Sequence, residues 1–220
     1  MKRVVLFVML AALATSAALA AAPRQIKVKL IGDVVEVRDF AAAYARLCAD
    51  DENASSCLAD AISFAETGIY EFKAGPYDPD EHYINHFRYC PPYMLDMGSS
   101  DFDGHDIVHF RGWAMDNGHT LFGVQEKAGQ DCNTYIKFYD YDPATCTFTL
   151  DETHARFLEQ RYGHEYGTDA QGKPHVCLHR IDLCEEGLHL YDEEDFMNIG
   201  KYTVLTWDGK GFIVKIVSSH

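Results

Sequence analysis

Apolar and polar positions along the chain follow helical spacing in a front part and a two-residue period in a longer rear part. The segment QIKVKLIGDVVEV, 25–37, alternates Ile26, Val28 and Leu30 with Lys27 and Lys29 and then reaches Gly32-Asp33, which predicts a short hairpin. Asp39 is a candidate cap for a helix over 40–49, with Phe40, Tyr44 and Leu47 on one face. Asn53, also the first residue of an Asn-Ala-Ser sequon, is a candidate cap for a second helix over 54–66 that ends at Gly68. Its inward residues are Leu58, Ala61, Ile62 and Ala65. The join is short, so the two helices are expected to pack antiparallel, with Cys48 and Cys57 placed for a disulfide across the corner. In YDPDEHYINHFRYCPP, 77–92, Asp78, Pro79 and Glu81 form a helix start and Cys90-Pro91-Pro92 a stop. That helix would bury Tyr83, Ile84 and Phe87.

From residue 107 onward, runs of strand residues are separated by turn residues. IVHFRGWAMDNGHTLFGVQ, 107–125, predicts a hairpin with Asn117-Gly118 as a two-residue turn, which sets Gly112 opposite Gly123 and Trp113 opposite Phe122. Further hairpins are expected about 142–145, 186–187 and 208–209, with a brief helix between Asp151 and Gly163. Strands joined by short turns are antiparallel. The expected class is therefore α+β: an N-terminal helical region followed by a curved antiparallel β-meander of hairpins.

Two of these hairpins, KFYDYDPATCTFT at 137–149 and YTVLTWDGKGF at 202–212, resemble hairpins of uncharacterised exported bacterial proteins. The resemblance covers those two segments and implies no activity.

Composition changes the picture at the N-terminus first. Lys2 and Arg3 precede an apolar run, Val4–Leu13, and Ala18-Leu19-Ala20 supplies a small-residue cleavage site. The reading is a signal peptide over 1–20 and a single α+β domain over 21–220, exported to the periplasm or the extracellular space, with no integral membrane span after cleavage. Formal charge is −15, and −17 once Lys2 and Arg3 leave with the leader. Such a surface repels nucleic acid and suits solubility, divalent cations or a basic protein partner. Seven cysteines, none in a C-x-x-C pair, are expected to form disulfides, with at least one left free or paired to something else.

Candidate chemistry is concentrated in SSDFDGHDIVHF, 99–110. Asp and Gly before a strand are what a tight turn requires. Asp101, Asp103 and Asp106 are also the hard oxygen donors of a weak Ca2+ or other divalent cation site. An EF-hand loop is excluded because Asp106 and Gly112 occupy the places of its glycine and glutamate. With His105 and His109 added, the same stretch is the candidate centre of a metal-assisted hydrolase. His82 and His86 have i,i+4 helical spacing, but Tyr83 stands where a zinc-protease motif needs glutamate. His175, Cys177 and His179 alternate along a predicted strand, and Tyr135, Tyr139 and Tyr141 offer rings to a glycan or peptide. No nucleophile elbow, phosphate loop or dinucleotide fingerprint occurs. The leading expectation is a non-enzymatic envelope or secreted binding protein without a tightly held cofactor, and the hydrolase is the alternative.

Overall fold

A computed structural model describes residues 25–50, 55–70, 84–100, 105–129, 134–162, 164–168, 174–177, 181–184, 187–191 and 201–218. Within them the class is α+β with antiparallel sheets. One sheet has seven strands: β1 (Gln25–Lys27), β2 (Ile84–Cys90), β3 (Met94–Ser100), β4 (His105–Ala114), β5 (Thr120–Gly129), β6 (Thr134–Asp142) and β7 (Thr147–Asp151). Its order is β1-β7-β6-β5-β4-β3-β2, a hairpin meander to which β1 is added at the far edge. A ribbon of β8 (His164–Thr168) and β9 (Pro174–Cys177) follows. The four-stranded sheet contains β10 (Ile181–Leu183), β11 (Gly187–Tyr191), β12 (Lys201–Trp207) and β13 (Phe212–Ser218) in sequential order. Among the described residues no helix is long and apolar enough to cross a membrane.

Helices α1 (Val37–Leu47) and α2 (Leu58–Thr67) lie on one face of the large sheet. The face alternates as strands must: Val108 and Phe110 of β4, and Phe122 and Val124 of β5, point toward the helices. Phe40 is the knob, its ring 5.0 Å from Phe122, 5.1 Å from Phe148 and 5.4 Å from Tyr139. Ala41, Ala43 and Ala45 are small enough to bring the α1 backbone close. The opposite face, carrying Trp113, Leu121 and Phe138, is covered by Ile181, Leu188, Leu205 and Phe212 of the small sheet and by Leu158 of α3 (Glu152–Tyr162). Gln125, fully buried, ties the two sheets: its Nε2 donates to Ile181 O and its Oε1 accepts from Leu183 N at 2.8 Å.

Several expectations are met. Gly68 ends α2 in the left-handed region at φ 70°, and Asp151 Oδ1 accepts from Thr153 N at 2.7 Å to cap α3. The turns at 142–147, 183–188 and 207–212 close hairpins.

Others are corrected. Residues 25–27 do not form a local hairpin: β1 pairs with β7, Ile26 facing Phe148. Helix α1 starts earlier, at Val37, and Asp39 sits in its first turn, accepting from Glu36 N at 2.9 Å and Ile31 N at 3.1 Å. The proposed cap Asn53 lies outside the described residues, and α2 starts at Leu58. Residues 84–90 form a strand, not a helix, because Phe87 and Tyr89 face the helices while His86 and Arg88 face away, a two-residue period. The cap at 78–81 lies outside the described residues.

The β4–β5 register is one residue off the expected one: Gly112 faces Phe122, and Trp113 faces Leu121. The cause is the turn, where Met115 N donates to His119 O at 3.0 Å and Gly118 alone takes positive φ, 85°, so three residues bulge out instead of two. The Cys48–Cys57 bridge is not made either. Cys57 turns into the helix–sheet core, its Sγ 2.9 Å from Ser55 Oγ and 3.7 Å from Met97 O. Burial pushes this thiol up to about 12, so it is protonated and inert at neutral pH.

Candidate functional site

The stretch 99–110 is the β3–β4 hairpin, with Ser100 facing His105 across its closing pair. Asp101 and Asp103 lie outside the described residues, as does the His105 side chain. Asp106 and His109, three residues apart on one strand, point to opposite faces of the sheet. Asp106 is on the helix face, where its carboxylate accepts from Ser55 Oγ, Ser56 Oγ and, at 3.2 Å, Ser56 N. It thereby holds the entry to α2. His109 is on the other face, so these two of the five hydrolase candidates are not brought to a common ion. Asp106→Ala is expected to cost about 1–2 kcal/mol, the usual loss for a helix-entry acceptor. Urea denaturation of the variant measures that cost, and a chelator added to the wild-type chain is expected to leave its melt unchanged.

His109 belongs to a separate cluster. Asp96, directly opposite it on β3, accepts from His109 Nδ1 at 2.8 Å and from Arg111 Nη1. Arg111 is buried, and its Nη1 also reaches Phe110 O at 2.8 Å. Burial works to raise the Asp96 carboxyl, but the hydrogen bonds and charges of His109 and Arg111 outweigh it and hold the group below its ordinary value. The imidazole is oriented as in an acid–base dyad, yet its carboxylate is already neutralised by the guanidinium. This geometry braces a sheet more readily than it moves protons.

A second cluster was not singled out from the sequence. His154, in the first turn of α3, bonds through Nδ1 to Asp151 Oδ2 at 2.8 Å. Rings pack around it: Trp207 at 5.3 Å, Phe138 and Phe212 at 6.0 Å between centroids. Nearby, His119 Nδ1 meets Asp140 Oδ1 at 2.9 Å across the β5–β6 end. The signal in the sequence was Asp151-x-x-His154, visible as a helix cap and silent about the rings that converge from β6, β12 and β13.

The tyrosine face is not open to a ligand. Tyr139 and Tyr141 are buried under α1, beside Phe40 and Phe148, and the Tyr135 side chain lies outside the described residues. Tyr44 donates to Glu126 and accepts from Lys137 Nζ at 2.9 Å. Burial and the Glu126 charge push its phenol far up, which fixes it as a donor. His82, and the side chains of His175, Cys177 and His179, lie outside the described residues, while His86 Nε2 sits 2.8 Å from Ser100 Oγ on the strand β2.

Covered faces leave the edges. Among the described residues β2 pairs only with β3. Phe87, 40% exposed on that edge, stacks on Tyr70 with centroids 4.3 Å apart and planes 6° from parallel. Phe64 supports it edge-on at 5.3 Å. No protein-family model, curated protein or solved structure matches the chain.

Proposed function

We propose that the protein is exported and works by binding, taking an extended peptide along the outer side of β2. The observation that carries this reading is the aromatic step formed by Phe87 and Tyr70 at that edge. An edge strand offers main-chain N–H and C=O groups to an added strand, and alternate side chains then choose the sequence. Phe87 supplies an apolar contact on the helix side of that edge. An extended peptide that places an aromatic or aliphatic side chain at the matching position fits it. The basic, apolar and small-residue pattern of the first 20 residues supports export.

The test has two parts. Intact mass of protein from its own cells is expected to match a chain that begins at Ala21, and retention of Met1 would remove the export reading. A panel of extended peptides and soluble glycans, read by fluorescence anisotropy, is expected to show peptide binding that weakens tenfold or more in Phe87→Ala, as for an exposed aromatic anchor. Binding of glycans instead, no binding, or peptide affinity indifferent to Phe87→Ala would each overturn the β2 reading.

A further inference from the structure

Two hydrogen bonds near the end of β4 fix which main-chain groups the outer side of β2 presents. Gly112 N donates to Tyr93 O at 2.8 Å, and Met115 N donates to His119 O at 3.0 Å, so Gly112 faces β3 and Met115 faces β5. Along a strand, the N–H and C=O of one residue point to the same side and those of the next to the other. Phe110 and Val108 share the parity of Gly112 and bond Leu95 and Met97. Met94 and Asp96 are thereby turned to β2, where they meet Cys90 and Arg88. Phe87 and Tyr89 are left facing outward. Among the described residues neither has a main-chain hydrogen bond on that side. The outward run stops at Tyr89, because Cys90 is turned to β3 and Pro91 has no N–H.

The same two residues carry the rings at this edge. Phe87 stacks on Tyr70, and Tyr89 lies 5.0 Å from Phe64 with its hydroxyl donated to Glu36 Oε2 at 2.6 Å. Unpaired main chain and aromatic surface therefore occur at one parity of β2. Residues directly opposite in an antiparallel hydrogen-bonded pair exchange both bonds and set their side chains on one face. In a parallel pair the opposite residue turns its own N–H and C=O away, and its two neighbours bond instead. Every pair in the large sheet is antiparallel, and that arrangement is the more stable per residue. Resting on the reading of β2 as a peptide-binding edge, we propose that the peptide runs antiparallel to β2 and that one residue, opposite Phe87, both exchanges main-chain bonds with it and lays its side chain on the Phe87–Tyr70 step.

The class of peptide follows from that register. The anchor residue is aromatic or aliphatic and keeps its N–H, so proline, apolar as it is, is excluded there. The residue two positions earlier lies opposite Tyr89 and must keep its N–H as well. Between them, opposite Arg88, the peptide N–H points away from β2, and proline or an N-methyl group is admitted. Recognition thus uses the main chain at alternate positions and one side chain, which suits extended segments of varied sequence.

The test uses the full chain and a fluorescein-labelled heptapeptide of threonine and serine with one central phenylalanine. N-methylation of that phenylalanine is expected to weaken binding about tenfold or more, and N-methylation of the residue just before it to leave binding nearly unchanged. By NMR, the Phe87 and Tyr89 amides should exchange freely in the unbound chain and be slowed several-fold by the peptide, while the Arg88 amide, already bonded to β3, should not respond. The reverse methylation pattern would mean a parallel peptide and overturn the proposal with the β2 reading intact. Equal effects at the two positions, both large or both absent, would overturn it too, and binding still lost in Phe87→Ala would then leave the aromatic step as the site. No binding of the unmethylated heptapeptide would overturn the register and, with no binding across the wider panel, the β2 reading beneath it.

Discussion

Gly98→Ala should lower the stability of this protein by about 4 kcal/mol. Gly98 lies in β3 opposite Ile107, at φ 135°, where a side chain is strained whatever the space. A Cβ built there would stand 2.0 Å from Asp106 O and 2.7 Å from Ile107 Cα, both backbone atoms that cannot rotate away. Strain of that kind costs about 1–3 kcal/mol and overpacking a similar amount, against a total stability of about 5–15 kcal/mol for a domain. Urea denaturation of the wild-type chain and the variant measures the loss. Gly118→Ala is the control: its φ is also positive, 85°, but nothing lies within 4 Å of the added Cβ, and about 1 kcal/mol is expected. Equal losses at the two sites would show that the β3–β4 contact is looser than described.

Asp96→Ala should cost about 3–5 kcal/mol, because it strands the Arg111 guanidinium inside the protein. Arg111 has a side chain 5% exposed, and Asp96 is its carboxylate partner and also that of His109. Arg111 Nε has no acceptor, so the pairing through Nη1 carries the compensation. A double variant, Asp96→Ala with Arg111→Met, should recover most of the loss, since the cost is that of an unpaired charge rather than of a missing bond. The sign with pH follows from the same contacts. Asp96 is held below its ordinary 3.8, so its contribution is present above that value and is lost as pH falls through the folded one. Acid denaturation of the wild-type chain should therefore be steeper below about pH 4 than that of the double variant. Coincident acid limbs would assign the stability elsewhere.

What was legible in the sequence was what neighbours along the chain decide. Gly68, Asp151 and the turns near 142–147 and 207–212 act through groups a few residues away, and they stand where local chemistry puts them. At 84–90 the local signals conflict: Asp78, Pro79 and Glu81 resemble a helix entry, while the alternation of His86, Phe87, Arg88 and Tyr89 belongs to a strand. The pairing of β1 with β7 joins residues more than a hundred positions apart, which no local pattern reports. The one-residue error at Asn117-Gly118 is subtler: the same dipeptide serves a two-residue turn or a three-residue one with a bulge, and cross-strand packing selects between them.

The candidate site divides in the same way. That Asp106 and His109 cannot meet follows from their odd spacing once 105–114 is a strand. That Asp106 serves Ser55 and Ser56 does not, because those residues approach from fifty positions upstream. The rings around His154 come from three strands, so only the fold assembles them.

Gln125 has a consequence for how the two sheets find each other. Oil-like contact between Leu121, Leu188 and Leu205 tolerates sliding, since one leucine serves nearly as well as the next. The Gln125 amide does not, because it offers one donor and one acceptor to two defined main-chain atoms of β10. A shift of β10 by a single position would leave both ends of that amide, and both of its partners, dry and unmatched. A lone glutamine thus acts as an alignment pin, giving an otherwise slippery assembly step one permitted stopping point.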